Sequence, residues 1–365
     1  MAMDIVIYIT IYIILKILVK KSWPVDFVYI ALVAYLLYGP SLHTVVLALP
    51  FLLGVVMLSR GKLIYEAGTA SAIAFTGVYL MAQEPTYMKA LGFAMASIAP
   101  AALLPTLGDR GSLEGLFRYL IISTAANGFM ITGLALRDMY PDFGNFFIIL
   151  AIAIELGAVP MFLWVVDVYS RSAAAGLAAL ASLPKLAAAY AFVFIKPAGP
   201  DLVFYTIGAL SMIVGNLGAL TSHDLRKVFA YSTVAHAGFA LFAYPLSQWL
   251  AFLLVFADVL GKMALFNHLD KGSARWGAAV LVSNQIGIPP VLGFWPKLYL
   301  IIYTAVTLGT AAAIYILINI VLTVPYYFRA MSSLPPGQAM FPKVAASLLV
   351  FIGVIAPLWI SYLLS

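Results

Sequence analysis

An all-α polytopic membrane protein is the fold class this sequence predicts, and three observations carry the prediction. The 365 residues are 64% hydrophobic and only 9% charged, against about 25% charged in an average soluble domain, and mean hydropathy is +1.05. Apolar runs close to the ~20 residues that cross a bilayer as a helix recur from one end to the other. Those runs lack the apolar–polar alternation of an outer-membrane barrel.

Taken in order, fourteen segments fit the chain: 4–19, 24–38, 42–58, 64–82, 88–107, 115–136, 144–166, 173–195, 202–220, 228–245, 248–268, 277–303, 306–328 and 344–364. The connections are short and carry Gly, Pro, Asp and Ser, as in "RGK", "GDRGS", "KPAGPD" and "DKGSARW". No extramembrane domain fits between them, so 1–365 reads as a single membrane domain. The opening stretch "MAMDIVIYITIYIILKILVK" lacks a basic leader and a small-residue cleavage site, and reads as a first membrane helix rather than a removed signal.

The basic residues test that count. Loops after odd-numbered segments, with the segment ends that border them, hold Lys20, Lys21, Arg60, Lys62, Arg110, Arg118, Arg171, Arg226, Lys227, Lys271, Arg275, Arg329 and Lys343. Loops after even-numbered segments, with the segment ends that border them, hold Lys89, Arg137 and Lys196. Thirteen against three is a strong positive-inside bias, which places the odd loops in the cytoplasm and both termini outside the inner membrane of a prokaryote. It also accounts for the net charge of +6 and the pI of 9.3 without nucleic acid. The bilayer is the expected partner, and no nucleic acid is.

Composition excludes further classes. With no cysteine there is no disulfide, no cysteine-held iron–sulfur cluster and no thioether-linked haem. Of four histidines only His236 sits well inside an apolar run, so a haem held between two histidines is not expected. The expectation is no cofactor and no metal in this chain, with any electrons carried by other chains.

Four lysines remain inside segments: Lys16, Lys185, Lys262 and Lys297. Of the fourteen acids, Glu155 and Asp258 read as the deepest. A charge at a helix centre costs roughly 2.5–3.5 kcal/mol on insertion scales, so such residues face a bundle interior or water and mark ion paths. Lys16 lies one turn from Lys20 and is expected to snorkel to the interface. Lys185 stands mid-segment in "LAALASLPKLAAAYAFVF", among small residues that leave room for water, directly after Pro184. Lys297 repeats that arrangement after Pro296, downstream of a Pro289–Pro290 break in "GIPPVLGFWPKLYLII". A helix broken at membrane depth is tolerated only where protein or a water cavity surrounds it. Asp258 and Lys262 lie four apart on one helical face, equally consistent with a static ion pair and with a relay. His236 in "FAYSTVAHAGFALF" fits a proton shuttle and a packed histidine equally well. Glu155 precedes "GAVP", where Gly157 and Pro160 suggest a second broken helix. Two interrupted helices in separate halves of a chain are the best sequence pointer to an ion path.

These residues also carry a resemblance. "ELGAVPMFLWVVDVY", "LASLPKLAAAYAF", "NLGALTSHDLRKVFAYSTVAHAGF" and "GIPPVLGFWPKLYLI" together resemble the antiporter-like membrane subunits of respiratory complex I, its N-type subunit above all, within a family that includes the large Mrp antiporter subunits and membrane subunits of energy-converting hydrogenases. The similarity is clear from about residue 112 to 305. It implies about 14 transmembrane helices, two inverted five-helix repeats and broken helices 7 and 12, which divides the chain into 1–60, a first repeat at 64–195, a second at 202–328 and a last helix at 344–364. It also implies a chain of buried charges across the midplane, with the family's helix 8 lysine on Lys185, its helix 12 lysine on Lys297, and Lys262 on a helix 11 lysine of some members. Two departures stand out. Ala94, in "GFAMASIAP", takes the place of the family's helix 5 glutamate, and Glu155 takes the place of its helix 7 lysine. The chain is also short for the family, and no long lateral helix is expected after the last segment.

The implied function is movement of protons along Glu155, Lys185, Asp258, Lys262, His236 and Lys297, driven by redox chemistry in other membrane and redox subunits of a complex-I-like assembly. Glu155 is expected to face Lys185, each favouring the other's ionised form. The other readings are a spacer subunit that has lost its channel, and a subunit of a membrane-bound hydrogenase or a cation/proton antiporter.

Overall fold

The computed structural model describes residues 2–19, 23–58, 64–103 and 109–364. Lys20, Lys21, Arg60, Lys62 and the end of segment 5 at 104–107 lie outside them. The described chain is helical apart from short connections and an isolated bridge between Ser273 and Pro336. The first third holds α1 (Ala2–Leu18), α2 (Trp23–Tyr38), α3 (Leu42–Leu58), α4 (Ile64–Met81) and α5 (Thr86–Ile98), the last running into a 3-10 turn. The middle holds α6 (Arg110–Leu136), α7 (Pro141–Leu156), α8 (Leu163–Arg171), α9 (Ala174–Leu180), α10 (Leu183–Phe194), α11 (Asp201–Thr221) and α12 (Leu225–Ala243). The last third holds α13 (Gln248–Lys271), α14 (Arg275–Ile286), α15 (Phe294–Thr307), α16 (Thr310–Val321), α17 (Thr323–Ser333) and α18 (Met340–Leu364). Six stretches, taking α9 with α10 and α16 with α17 as continuous, are long and apolar enough to cross a membrane, and shorter apolar helices accompany them.

Burial sorts these elements into a centre and a shell. The stretches Ala174–Phe194 and Gln248–Lys271 are each 94% buried, while α6, α11 and α18 are 39% buried. The shell helices turn Phe117, Ile121, Leu217, Phe351 and Leu358 outward, which is an apolar face a bilayer can cover. The protein is therefore an integral membrane protein whose two innermost helices carry charge.

Small residues set how closely the helices approach. Three antiparallel hairpins each cross at a glycine pair: Gly77 with Gly92 between α4 and α5, Gly133 with Gly144 between α6 and α7, and Gly208 with Gly238 between α11 and α12. A side-chain carbon added at Gly238 would lie 2.6 Å from the Gly208 carbonyl oxygen. With no solvent to drive helices together in lipid, such close backbone approach supplies the packing.

Both expected breaks are present. α7 stops at Gly157, in the left-handed region at φ 77°, and the chain resumes helix only at α8. The indole of Trp164 donates to the Ile154 carbonyl (2.9 Å), which also accepts from the Gly157 amide (3.0 Å), and the Val159 amide donates to Ser211 Oγ (3.0 Å). α14 stops at Gly287, φ 89°, and resumes as α15. There the Gly293 amide donates to Asn284 Oδ1 (2.9 Å) and the Leu292 amide to the Leu349 carbonyl (3.1 Å). Each break thus satisfies its backbone internally, as a membrane interior demands.

Candidate functional site: a buried line of charge

The two breaks open the interior differently, and α14 shows how. Its last carbonyls point at Lys297, whose ammonium donates to the Gln285 carbonyl (2.5 Å) and the Ile286 carbonyl (3.0 Å). A cation at the negative end of a helix is electrostatically favoured. His236 Nε2 lies 3.1 Å from the same Gln285 carbonyl. Gly261 allows this crowding, since a side-chain carbon there would strike the Gln285 amide at 2.2 Å. α14 consequently docks on α13, with Gln285 Nε2 donating to the Asp258 carbonyl (3.1 Å) and Asn284 Nδ2 to the Ala257 carbonyl (2.9 Å).

From His236 the line continues to Asp258. His236 Nδ1 is 3.0 Å from Asp258 Oδ1, close but not aligned as a hydrogen bond. Lys262, one turn along α13, reaches the same oxygen at 3.1 Å. Lys185 reaches Asp258 Oδ2 at 3.4 Å from α10, which the run Ala187, Ala188, Ala189 keeps slender. Both lysines also donate to Thr233 Oγ1, at 3.1 Å from Lys185 and 2.9 Å from Lys262. Every member is at least 94% buried. Four helices and a helix break therefore place Lys185, Lys262, Asp258, His236 and Lys297 in one cluster. Two lysines and a histidine share one carboxylate, so a proton gained or lost at one is felt by the others.

Glu155 stands apart from this cluster, and the expected pair with Lys185 does not form. Its Oε1 is 2.7 Å from the Tyr119 hydroxyl and its Oε2 is 3.5 Å from Ser123 Oγ, while Lys185 is spent on Asp258 and Thr233. The physical reason is direction. Asp258 offers Lys185 a carboxylate from the neighbouring α13, while the α7 break turns Glu155 toward α6. Tyr119 is also 2.7 Å from the Ser97 carbonyl. Its single proton can serve one of these two acceptors, so both contacts are complete only when Glu155 itself carries a proton and donates to the phenol oxygen. Asn127 closes this pocket, donating to Ser97 Oγ (3.1 Å) and the Ser123 carbonyl (2.8 Å). Ala94, on α5, contributes no polar side chain here, only its carbonyl to Ser97 Oγ (3.2 Å).

Two further expectations are corrected. Asp26, at 0% exposure, is buried as deeply as Glu155 and Asp258. Lys16 does not snorkel. It turns inward and pairs with Asp26 at 2.8 Å, where Tyr12 also donates (2.6 Å). Asp26 sits in the first turn of α2, two residues after Pro24, a position that reads from sequence as a helix start at the interface. Sequence reasoning also passed over Thr233, Tyr119 and Gln285. Thr233 had a signal: it precedes His236 by three residues on one helical face. Tyr119 and Gln285 had none, because their roles come from helices far away in the chain.

Fold and cluster together define a class: integral membrane proteins with discontinuous helices around a buried charge line. Residues 116–275 match the family described as NADH:quinone oxidoreductase/Mrp antiporter, TM. Among curated relatives it is 26% identical over 293 residues to the NADH-quinone oxidoreductase subunit N of Neisseria gonorrhoeae, a match covering 65% of this chain and 61% of that protein. It is 28% identical over 314 residues to subunit N of Rubrobacter xylanophilus, covering 70% and 65%. The chain thus spans about three fifths of the length of the curated relatives it matches. In fold it is similar to a chain of respiratory complex I from Thermus thermophilus, with a TM-score of 0.80, 20% identity and coverage of 97% and 96%. It is similar also to a chain of the archaeal membrane-bound sulfane sulfur reductase, with a TM-score of 0.75, 16% identity and coverage of 97% and 93%.

Proposed function

We propose that the chain is a proton-translocating membrane subunit of a complex-I-like quinone oxidoreductase, driven by redox chemistry in other subunits. One observation carries this reading: Lys185, Asp258, Lys262, His236 and Lys297 form a continuous buried line across α10, α13, α12 and α15. Static ion pairs need one base per acid, and this line holds three lysines for one aspartate. A surplus of titratable amines in a dry interior is expensive unless their protons move. In this reading a proton enters near Glu155, is passed to the Lys185–Asp258 group, and leaves by way of His236 and Lys297. In this reading the eighteen helices of the described residues group into fourteen spans, with inverted repeats at 64–195 and 202–328, odd-numbered loops in the cytoplasm of a prokaryote and both termini outside. The test is Lys185→Ala or Lys297→Ala in the native assembly, with proton uptake read per turnover. Loss of uptake supports the reading, and unchanged uptake ends it.

Ala94 favours a second reading, in which the chain is a spacer within the same kind of assembly, since it removes a carboxylate from the entry half. Glu155→Gln then loosens assembly and leaves uptake intact. Whether the parent complex reduces quinone, evolves hydrogen or exchanges cations is decided by purifying the native assembly and identifying its subunits.

A further inference from the structure

Between the Glu155 pocket and the lysine cluster stands a residue that neither group uses. Tyr169, on α8, is 0% exposed, and its hydroxyl has no hydrogen-bond partner among the described residues. The Thr233 hydroxyl cannot serve it, because that group is saturated. It donates to the Phe229 carbonyl (2.9 Å) and accepts from both Lys185 and Lys262, which uses its one proton and both lone pairs. The Tyr169 ring is fixed edge-on against Phe266, with centroids 5.5 Å apart. Lys185 Nζ lies over its face, 6.0 Å from the centroid. Its helix bridges the two groups: the Trp164 ring of α8 lies 5.5 Å from the ring of Tyr119, the phenol at Glu155, while Tyr169 further along α8 meets α13, the helix of Asp258 and Lys262. A buried hydroxyl left without a partner is unfavourable, and a native protein retains one where a mobile partner or a function requires it.

We infer that Tyr169 is the relay that joins the two halves: its hydroxyl takes a proton from the Glu155 side, through a water held at the phenol oxygen, and releases its own toward the Lys185–Asp258 group. One proton arrives as one departs, so the phenol ends unchanged and no charge accumulates on it. This rests on the proton-translocation reading above and explains how that path crosses where Glu155 and Lys185 fail to touch.

The test uses the native assembly. Tyr169→Phe removes only the hydroxyl, and proton uptake per turnover is expected to fall by about tenfold or more, the range of a lost proton-transfer group. Combined with Glu155→Gln the loss is expected to be no greater than for the worse single variant, because groups in series do not add. A purely structural role gives additive losses instead, and that result overturns the inference. Lys185→Ala separates the two levels. If it abolishes uptake while Tyr169→Phe does not change it, the relay fails and the translocation reading stands. If neither changes uptake, both fall. Should Tyr169→Phe not assemble, an experimental map of the native complex decides. Water within ~3.5 Å of the hydroxyl supports the relay, and a dry hydroxyl overturns it.

Discussion

Asp258 is the residue on which the buried cluster turns. Lys185, Lys262 and His236 all approach its two oxygens within 3.4 Å. Removing one partner of a buried ion pair leaves the others uncompensated, at a cost of about 3–5 kcal/mol. Asp258→Asn is therefore expected to lower the melting temperature of the detergent-purified protein and, under the function proposed above, its proton uptake, and Lys262→Met added to it is expected to restore part of the stability. Thr233→Val takes an acceptor from two ammonium groups, costing about 1–3 kcal/mol. The pair Lys16–Asp26 is a separate residue-scale case. Asp26→Asn is expected to destabilise more than the double change Lys16→Met with Asp26→Asn, read by the same melting assay. Sequence marked Lys185, Lys262, Lys297, Asp258, His236 and Glu155 as charges out of place. It missed Asp26, because an acid in a helix's first turn is ordinary where that turn meets water, and only packing shows that this one does not.

Helices meet here through glycine and stop through glycine and proline. At the α11–α12 crossing, Gly238→Leu would drive a side chain into the Gly208 backbone, which lies 2.6 Å from the first added carbon. Overpacking of this kind costs about 1–3 kcal/mol, and the expected result is a lower yield of inserted protein and a lower melting temperature. The broken ends differ in what satisfies them. Trp164 covers the end of α7, and the ammonium of Lys297 covers the end of α14. Lys297→Ala thus removes a helix cap as well as a link in the charge line, whereas Lys297→Arg keeps the cap, so comparing the stability of the two separates the roles. Both breaks were legible as Gly and Pro at membrane depth. Their caps were not, because indole and ammonium arrive from the segment after the break with a geometry that spacing alone does not specify.

For the molecule as a whole, orientation is the most direct prediction. The absence of cysteine provides a clean background for labelling. Met139→Cys, at an exposed site after α6, is expected to react with an impermeant maleimide from outside intact cells. Ser333→Cys, exposed at the end of α17, is expected to react only after permeabilisation. The reverse pattern would overturn the charge-bias topology. What sequence alone determined is one-dimensional: which stretches are apolar enough for lipid, where they break, and which charges are left inside them. Such features rest on transfer energies and backbone sterics that act over one turn or one span. Tertiary structure alone decided which charge meets which. Lys185 and Asp258 are 73 residues apart and Tyr119 and Glu155 are 36 apart, and each contact depends on the rotation and close approach of helices set by glycine crossings elsewhere. A carboxylate one turn from a helix break can face either neighbour, and it was the packing of α6, α10 and α13 that sent Glu155 to Tyr119 and left Lys185 to Asp258.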